Sequence, residues 1–131
     1  MTIHQSAEDY LETILMLTQR LGKVRSIDVV NELGYTKASV SIAMKKLREN
    51  GYIAVDGEGS LTLLPPGREI AERIYGRHQL LQHFFMQLGV DEQTAAEDAC
   101  RAEHILSEQT LEKIRQHALQ QDAERPAPPR E

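Results

Sequence analysis

The sequence predicts a mainly α protein built from two modules, a winged helix-turn-helix module followed by an all-helical module. Two short helical segments joined by a glycine turn lead directly into two short alternating strands, and every later apolar pattern has helical spacing. We predict the first module at residues 1–66 and the second at 67–121, which begins with a long linking helix at 67–88. The proline-rich, charged residues 122–131 are predicted to be a disordered tail.

Composition narrows the class of protein. A chain of 131 residues can form one medium domain or two small ones. The net charge of −5 means that any nucleic-acid contact must come from a local basic patch. A single cysteine excludes an intrachain disulfide and favours a reducing compartment. No apolar run approaches the roughly 20 residues that cross a bilayer, so we expect a cytoplasmic protein with no membrane partner.

The first helix is predicted at residues 6–20, with Ser6 as its N-cap. Its apolar stripe consists of Ala7, Tyr10, Leu11, Ile14 and Leu17. Asp9 and Glu12 lie three residues apart and off that stripe. They are either two solvated acids or a pair that faces something other than the core of this helix.

Two further helices form the helix-turn-helix pattern. Ser26 is predicted to cap a short helix at 26–33 that ends at Gly34, and Thr36 caps a third helix that runs to about Asn50. The tight glycine turn and the polar outer face of the third helix are typical of a DNA-binding helix pair. A generic helical hairpin is the alternative.

The outer face of this helix pair is basic and hydroxyl-rich, which predicts double-stranded DNA as a partner. Lysine and arginine side chains suit phosphates, and short hydroxyl side chains reach phosphates or base edges. No arginine lies near the start of the third helix, so we expect specificity from methyl contacts, water and DNA shape. The predicted DNA-contacting residues are Lys23, Arg25, Thr36, Lys37, Ser39, Ser41, Lys45 and Lys46.

The strands at 52–55 and 60–63 flank an Asp-Gly-Glu-Gly turn and predict a β-hairpin, the wing. Pro65, Pro66 and Gly67 then interrupt the chain before the linking helix. His78 falls in the apolar stripe of that helix, where a core histidine is the ordinary interpretation.

The second module continues with two helices. Asp91 is predicted to cap a helix that starts at Glu92 and runs into a helical segment at 95–106. Ser107 caps a last helix at 108–120.

One helical face in this module predicts a metal site. Cys100, Glu103 and His104 have the i, i+3, i+4 spacing that places side chains on one face, away from the apolar residues Ala99, Ala102, Ile105 and Leu106. A thiol, a carboxylate and an imidazole together suit a divalent transition metal. The alternative is the ordinary polar face of an amphipathic helix.

These features, in this order, resemble the diphtheria toxin repressor family of metal-dependent transcription regulators, in the short form of its manganese transport regulator branch. The resemblance covers about residues 6–118. The matching strings are residues 8–14, 39–41, 61–62 with 67–68, 77–81, 88–91 and 100–107.

The resemblance implies a repressor, not an enzyme, that controls metal uptake and homeostasis genes and is activated by Fe²⁺ or Mn²⁺. It also implies a homodimer formed through the second module and an inverted-repeat operator. The metal positions of the family fall on Asp9, Glu12, His78, Cys100, Glu103 and His104.

Two departures concern the metal. Asp9 is typical of the manganese-type branch, whereas Cys100 is typical of the iron-type branch. The second metal site of the iron-type branch lacks ligands here, because Gln82 and Ala96 occupy its positions. Cys100 is a sulfur ligand, a ligand through its backbone carbonyl, or a small buried thiol beside the site.

Two other functions are compatible with parts of the pattern. The first is a winged-helix regulator that is not gated by metal. In this interpretation the DNA-binding module is the same, and the candidate metal ligands are ordinary polar residues of the surface. A metallohydrolase would use Cys100, His104 and His78 with Glu103 as base, but the chain has no His-Glu-x-x-His motif and this function leaves the helix-turn-helix unexplained.

Overall fold

The computed structural model describes residues 5–124, which form six α-helices and one two-stranded hairpin. The chain divides within its fourth helix into two compact units, Met1–Tyr75 and Gly76–Glu131. No helix within residues 5–124 has both the length and the apolar character needed to cross a membrane. In chain order the elements are α1 Gln5–Leu21, α2 Ser26–Leu33, α3 Lys37–Glu49, β1 Ile53–Val55, β2 Leu61–Leu63, α4 Pro65–Gln87, α5 Glu92–Ala102 and α6 Glu108–Glu124.

In the first unit, α1 contacts both α2 and α3 through a single apolar core. The predicted stripe of α1 is confirmed, since its members are buried or partly buried. The helix begins at Gln5, so Ser6 lies inside it and the prediction of Ser6 as the cap is wrong. The largest fully buried side chains of this core are Leu11, Ile14, Leu17, Val24, Val29, Val40 and Ile53.

Both helices of the helix-turn-helix are capped by hydrogen bonds between residues close in sequence. Thr36 caps α3 as predicted, because its Oγ1 accepts a hydrogen bond from the backbone N–H of Ser39 at 3.1 Å. The prediction of Ser26 as the cap of α2 is wrong, since Arg25 takes that position. The carboxylate of Asp28 explains the difference, because its Oδ2 accepts from the Arg25 N–H at 2.9 Å. Gly34 ends α2 with a left-handed φ of 71°, as expected for a glycine C-cap.

The predicted wing is confirmed as an antiparallel hairpin in which Ile53 lies opposite Leu63. Each strand is one residue shorter than predicted at its start. Ser60 forms a bridge with Arg25 instead, and the N–H of Tyr52 donates to the carbonyl of Leu47 in α3 at 3.0 Å.

The turn of the hairpin is organised by Asp56. Its Oδ1 accepts hydrogen bonds from the backbone N–H groups of Ser60 and Glu58, each at 2.9 Å. These two hydrogen bonds, and then the charges of Lys23 and Arg25, hold the pKa of Asp56 below its ordinary value.

Helix α4 begins at Pro65, two residues before the predicted start, because proline is well accommodated in a first helical turn. Gly67 lies in that turn, against the hairpin. A Cβ at this position would stand 2.1 Å from the carbonyl oxygen of Tyr52, which already accepts from the Leu64 N–H at 3.0 Å. The close approach of two backbone segments therefore requires glycine here.

In the second unit the remainder of α4 packs with α5 and α6. The predicted caps are confirmed, since Asp91 Oδ2 accepts from the Thr94 N–H at 3.1 Å and Ser107 Oγ from the Thr110 N–H at 3.2 Å. The apolar cluster consists of buried Leu81, Ala99 and Leu111, with Leu80, Phe85, Ala102, Leu106 and Ile114 packed against it.

Two helix ends differ from prediction. Helix α5 ends at Ala102 rather than near residue 106, because the guanidinium of Arg77 donates to the carbonyl of Glu103 at 3.2 Å and satisfies the terminal carbonyl. Helix α6 continues to Glu124, so residues 122–124 of the predicted tail are helical, and Asp122 lies 2.9 Å from His83 Nε2 on α4. Residues 125–131 lie outside the described part of the chain.

Candidate metal centre and DNA-binding surface

The candidate metal centre of the second unit is built around the carboxylate of Glu103, which is fully buried. Glu103 follows the last residue of α5 and lies one helical turn after Ala99, which is also fully buried. The regular continuation of the buried face of α5 therefore carries this carboxylate into the interior. An ionised carboxylate in such a place requires partners of opposite charge or hydrogen-bond donors.

Two imidazoles flank this carboxylate. His78 Nδ1, from α4, lies 3.2 Å from Glu103 Oε2. His104 Nε2, from the turn after α5, lies 3.3 Å from Glu103 Oε1, and its side chain is only 2% exposed. The structure thus brings together three of the predicted ligands, and the contact of His78 with Glu103 is compatible with both a metal ligand and a satisfied core histidine.

The predicted arrangement of α5 is wrong in one respect. Glu103 was expected on a polar face with Cys100, away from Ala99, but it shares the buried face with Ala99, whereas Cys100 is exposed. Ile105, expected on the apolar side, is 76% exposed because the helix has already ended. The exposure of Cys100 also excludes the interpretation of this residue as a small buried thiol.

The acid pair of α1 belongs to the first unit. Asp9 is half-buried and Glu12 is buried, with only 6% of its surface exposed, so the interpretation of Glu12 as a solvated acid is wrong. That Asp9 and Glu12 share a metal with the residues of the second unit stays a prediction.

The donor set of the second unit fits a divalent cation. Among the described residues, the buried Oε1 of Glu103 accepts no hydrogen bond, since the approach of His104 lacks hydrogen-bond geometry. One carboxylate and two imidazoles supply ligands that Mn²⁺ and Fe²⁺ both accept. A cation bound there would satisfy the buried oxygen that the protein itself leaves without a donor.

The predicted DNA-contacting residues all lie on the surface of the first unit. Lys37, Lys45 and Lys46 extend from α3, and all three are exposed. The hydroxyl of Thr36 is engaged in capping, where it accepts from the Ser39 N–H and lies 2.9 Å from Ser39 Oγ. The remaining members, exposed as well, are Lys23, Arg25, Ser39 and Ser41.

One residue of this surface was not predicted. Ile42, in the middle of α3, is 58% exposed although isoleucine is usually buried. The apolar stripe formed by Val40, Met44 and Leu47 already leaves Ile42 on the outer side of the helix, so the sequence contained the signal. An apolar group here can contact the methyl group of thymine, the one apolar feature of the major groove.

Comparison with known protein families shows which family contains both units. Residues 2–61 match the family described as "Iron dependent repressor, N-terminal DNA binding domain". Residues 65–123 match "Iron dependent repressor, metal binding and dimerisation domain". The chain belongs to the iron-dependent repressor family. The resemblance to the diphtheria toxin repressor family is thereby confirmed, and the chain is a DNA-binding transcription regulator rather than an enzyme.

Relatives of this chain support the same conclusion. It is 34% identical over 109 residues to the "HTH-type transcriptional regulator MntR" of Lysinibacillus sphaericus, covering 83% of this chain and 78% of that protein. Among solved structures, it resembles a "Manganese-dependent transcriptional repressor complex with manganese" with a TM-score of 0.78 and 27% identity, over 86% of this chain and 52% of the other. The "manganese regulator SloR" gives a TM-score of 0.74 and 26% identity, over 89% and 54%. The chain therefore spans about half the length of these solved proteins.

Proposed function

We propose that this chain is a cytoplasmic repressor of metal-uptake and metal-homeostasis genes that binds an inverted-repeat operator as a homodimer when Fe²⁺ or Mn²⁺ is present. The observation that carries the proposal is the buried carboxylate of Glu103 between His78 and His104, within the part of the chain that matches a metal-binding and dimerisation domain.

The proposed ligands are the six predicted residues. Glu103, His78 and His104 are supported by their distances, whereas Asp9, Glu12 and Cys100 rest on the family resemblance and on their donor chemistry. A bound divalent cation supplies the positive charge that offsets repulsion among the carboxylates.

The acid pair Asp9 and Glu12 offers a way for metal binding to affect DNA binding. Asp9 and Glu12 are on α1, whose neighbours Tyr10, Leu11 and Ile14 belong to the core that also holds α3. Restraining the two carboxylates therefore restrains the helix that supports α3. In a homodimer this fixes the separation of the two α3 helices, which must match half-sites about 34–36 Å apart. The metal then favours the DNA-competent state by its differential affinity for it.

The direct test of the proposal is operator binding with and without metal. An operator would be selected from a randomised duplex pool under anaerobic conditions with Mn²⁺ present. Binding to this operator should be tighter with Mn²⁺ or Fe²⁺ than with chelator by about 1–3 kcal/mol or more, the usual range of allosteric coupling. Equal affinity in metal and in chelator would instead identify a winged-helix regulator that is not gated by metal.

The lysines of α3 should act as phosphate contacts. Lys45→Ala should weaken binding about equally for all sequences and reduce the slope of log affinity against log salt by about one, because one fewer counterion is released. Lys37→Ala and Lys46→Ala should behave alike. Lys113→Ala, at an exposed position on α6, is the control and should change neither quantity. A variant that altered sequence preference at an unchanged slope would show base contact rather than phosphate contact.

Cys100 should influence which metal activates the protein. A thiolate favours metals later in the Irving–Williams series over Mn²⁺, so Cys100→Glu should raise the response to Mn²⁺ relative to Fe²⁺. Anaerobic titration of both proteins with both metals measures this ratio. An unchanged ratio would mean that the side chain at this position does not set selectivity and that ligation, if any, is through its backbone carbonyl.

A further inference from the structure

The guanidinium of Arg77 joins three helical elements of the second unit. Its Nη1 donates to the backbone carbonyl of Glu103 at 3.2 Å, and its Nη2 pairs with the carboxylate of Glu108 in the first turn of α6. The side chain of Arg77 is only 15% exposed, whereas that of Glu108 is 79% exposed. Of these two contacts, the one to the Glu103 carbonyl is therefore the more shielded from water.

The Glu103 carbonyl belongs to the C-cap residue of α5, directly after the last helical residue Ala102. The last carbonyls of a helix have no partner within the helix, and a cationic donor at that end also interacts favourably with the helix dipole. The side chain of Glu103 starts from this same backbone unit, and His104 follows it directly. The direction of this peptide unit thus sets where the buried carboxylate and the imidazole point.

We propose that Arg77 is a positioning residue for the metal centre, which orients Glu103 and His104 by holding the carbonyl of Glu103. The inference rests on the proposed function, because it concerns the same site. Arg77 also directly precedes His78 on α4, and its side chain contacts the backbone of Glu103, the residue directly before His104. Nη1 of Arg77 donates to the Glu103 carbonyl from the fixed plane of a guanidinium, whereas a lysine ammonium is a point charge on a flexible stem and would not hold that carbonyl in one direction.

Two effects of Arg77 on a bound cation have opposite signs. As a positive charge, Arg77 repels the cation, so its removal should tighten metal binding if charge alone matters. As a positioning residue, it pre-forms the ligand set, so its removal should weaken binding. Substitutions that separate charge from geometry therefore decide between the two.

The experiment uses the full chain under anaerobic conditions, with Mn²⁺ affinity measured by titration calorimetry and ligand geometry by the visible absorption of bound Co²⁺. Arg77→Lys keeps the charge and loses the fork, and Arg77→Gln loses both. Each should lower Mn²⁺ affinity by roughly tenfold and should alter the Co²⁺ spectrum. Tenfold is the lower end of the range that is usual when a residue supporting a metal ligand is replaced. Glu108→Gln should leave both close to wild type, since that contact is exposed.

Arg115→Gln is the matched control, because Arg115 pairs with Glu112 at 2.6 Å on the surface of the same unit. It should change neither affinity nor spectrum. The inference would be overturned if Arg77→Lys kept the wild-type Mn²⁺ affinity and Co²⁺ spectrum, or if Arg77→Gln bound Mn²⁺ more tightly. Either result would leave the proposed function intact. A wild-type protein that bound no Mn²⁺ would overturn both. If Arg77→Gln does not fold, Arg77→Lys alone decides.

Discussion

Replacing Glu103 by glutamine should abolish the metal dependence of operator binding without destabilising the protein in chelator. The amide keeps the shape of the side chain but loses the anionic oxygen that a divalent cation requires. The coupling between metal and DNA, about 1–3 kcal/mol, should fall to near zero. Without metal, the change removes a buried negative charge, so the free energy of unfolding should be equal to that of the wild type or higher.

Glu103→Gln should remove the metal dependence of operator binding but should not lower the free energy of unfolding, so the two measurements together make the test specific. Operator affinity would be measured with Mn²⁺ and with chelator, and the free energy of unfolding by urea titration in chelator. Glu97→Gln, at an exposed position on α5, the helix that Glu103 caps, should match the wild type in both measurements. A large loss of stability together with retained Mn²⁺ response would show that Glu103 serves folding rather than metal binding.

The second large effect concerns Gly67. Alanine at this position should lower the free energy of unfolding by about 1–3 kcal/mol or more, because its Cβ would collide with the backbone of Tyr52, which cannot rotate away as a side chain can. The oxygen in question would be 2.1 Å from that Cβ. Urea unfolding followed by circular dichroism measures the change.

The same helix offers the matched control. Gly76 also lies within α4, but a Cβ there would meet nothing within 4 Å. Gly76→Ala should raise the free energy of unfolding by about 0.5–1 kcal/mol, since alanine loses less backbone freedom on folding than glycine does. Equal effects of the two substitutions would mean that helix propensity, not the close approach to Tyr52, decides the cost at Gly67.

The sequence predicted the features that depend on neighbouring residues. Thr36, Asp91 and Ser107 each cap a helix by contacting a backbone N–H three residues later, so donor and acceptor lie within one short segment. The error at Ser26 has the same origin, because the competing carboxylate of Asp28 also lies nearby and favours Arg25 as the cap. The register of the hairpin follows from the alternation of its strands.

Features that depend on distant partners were not predictable in this way. The end of α5 relies on Arg77, which is 26 positions from Glu103, and Asp122 at the end of α6 contacts His83, which is 39 positions away. No local pattern marks either contact. The residue types of the candidate metal centre were predicted, but the burial of Glu103 was not, because charged residues are ordinarily placed on the exposed face of a helix.

We expect the Asp56 turn to limit the length of DNA that this unit can cover. Asp56 and Glu58 put two exposed acids at the tip of the wing, and the pKa of Asp56 is lowered further from its already acidic ordinary value, so its carboxylate is ionised in the neutral range. Phosphates repel such a tip, so we expect it to stay out of the minor groove, which a basic tip would enter. Asp56 also offsets part of the charge of Lys23 and Arg25. The protein should therefore leave a short footprint on each half-site, centred on the major groove occupied by α3, with the flanking minor groove open to cleavage reagents.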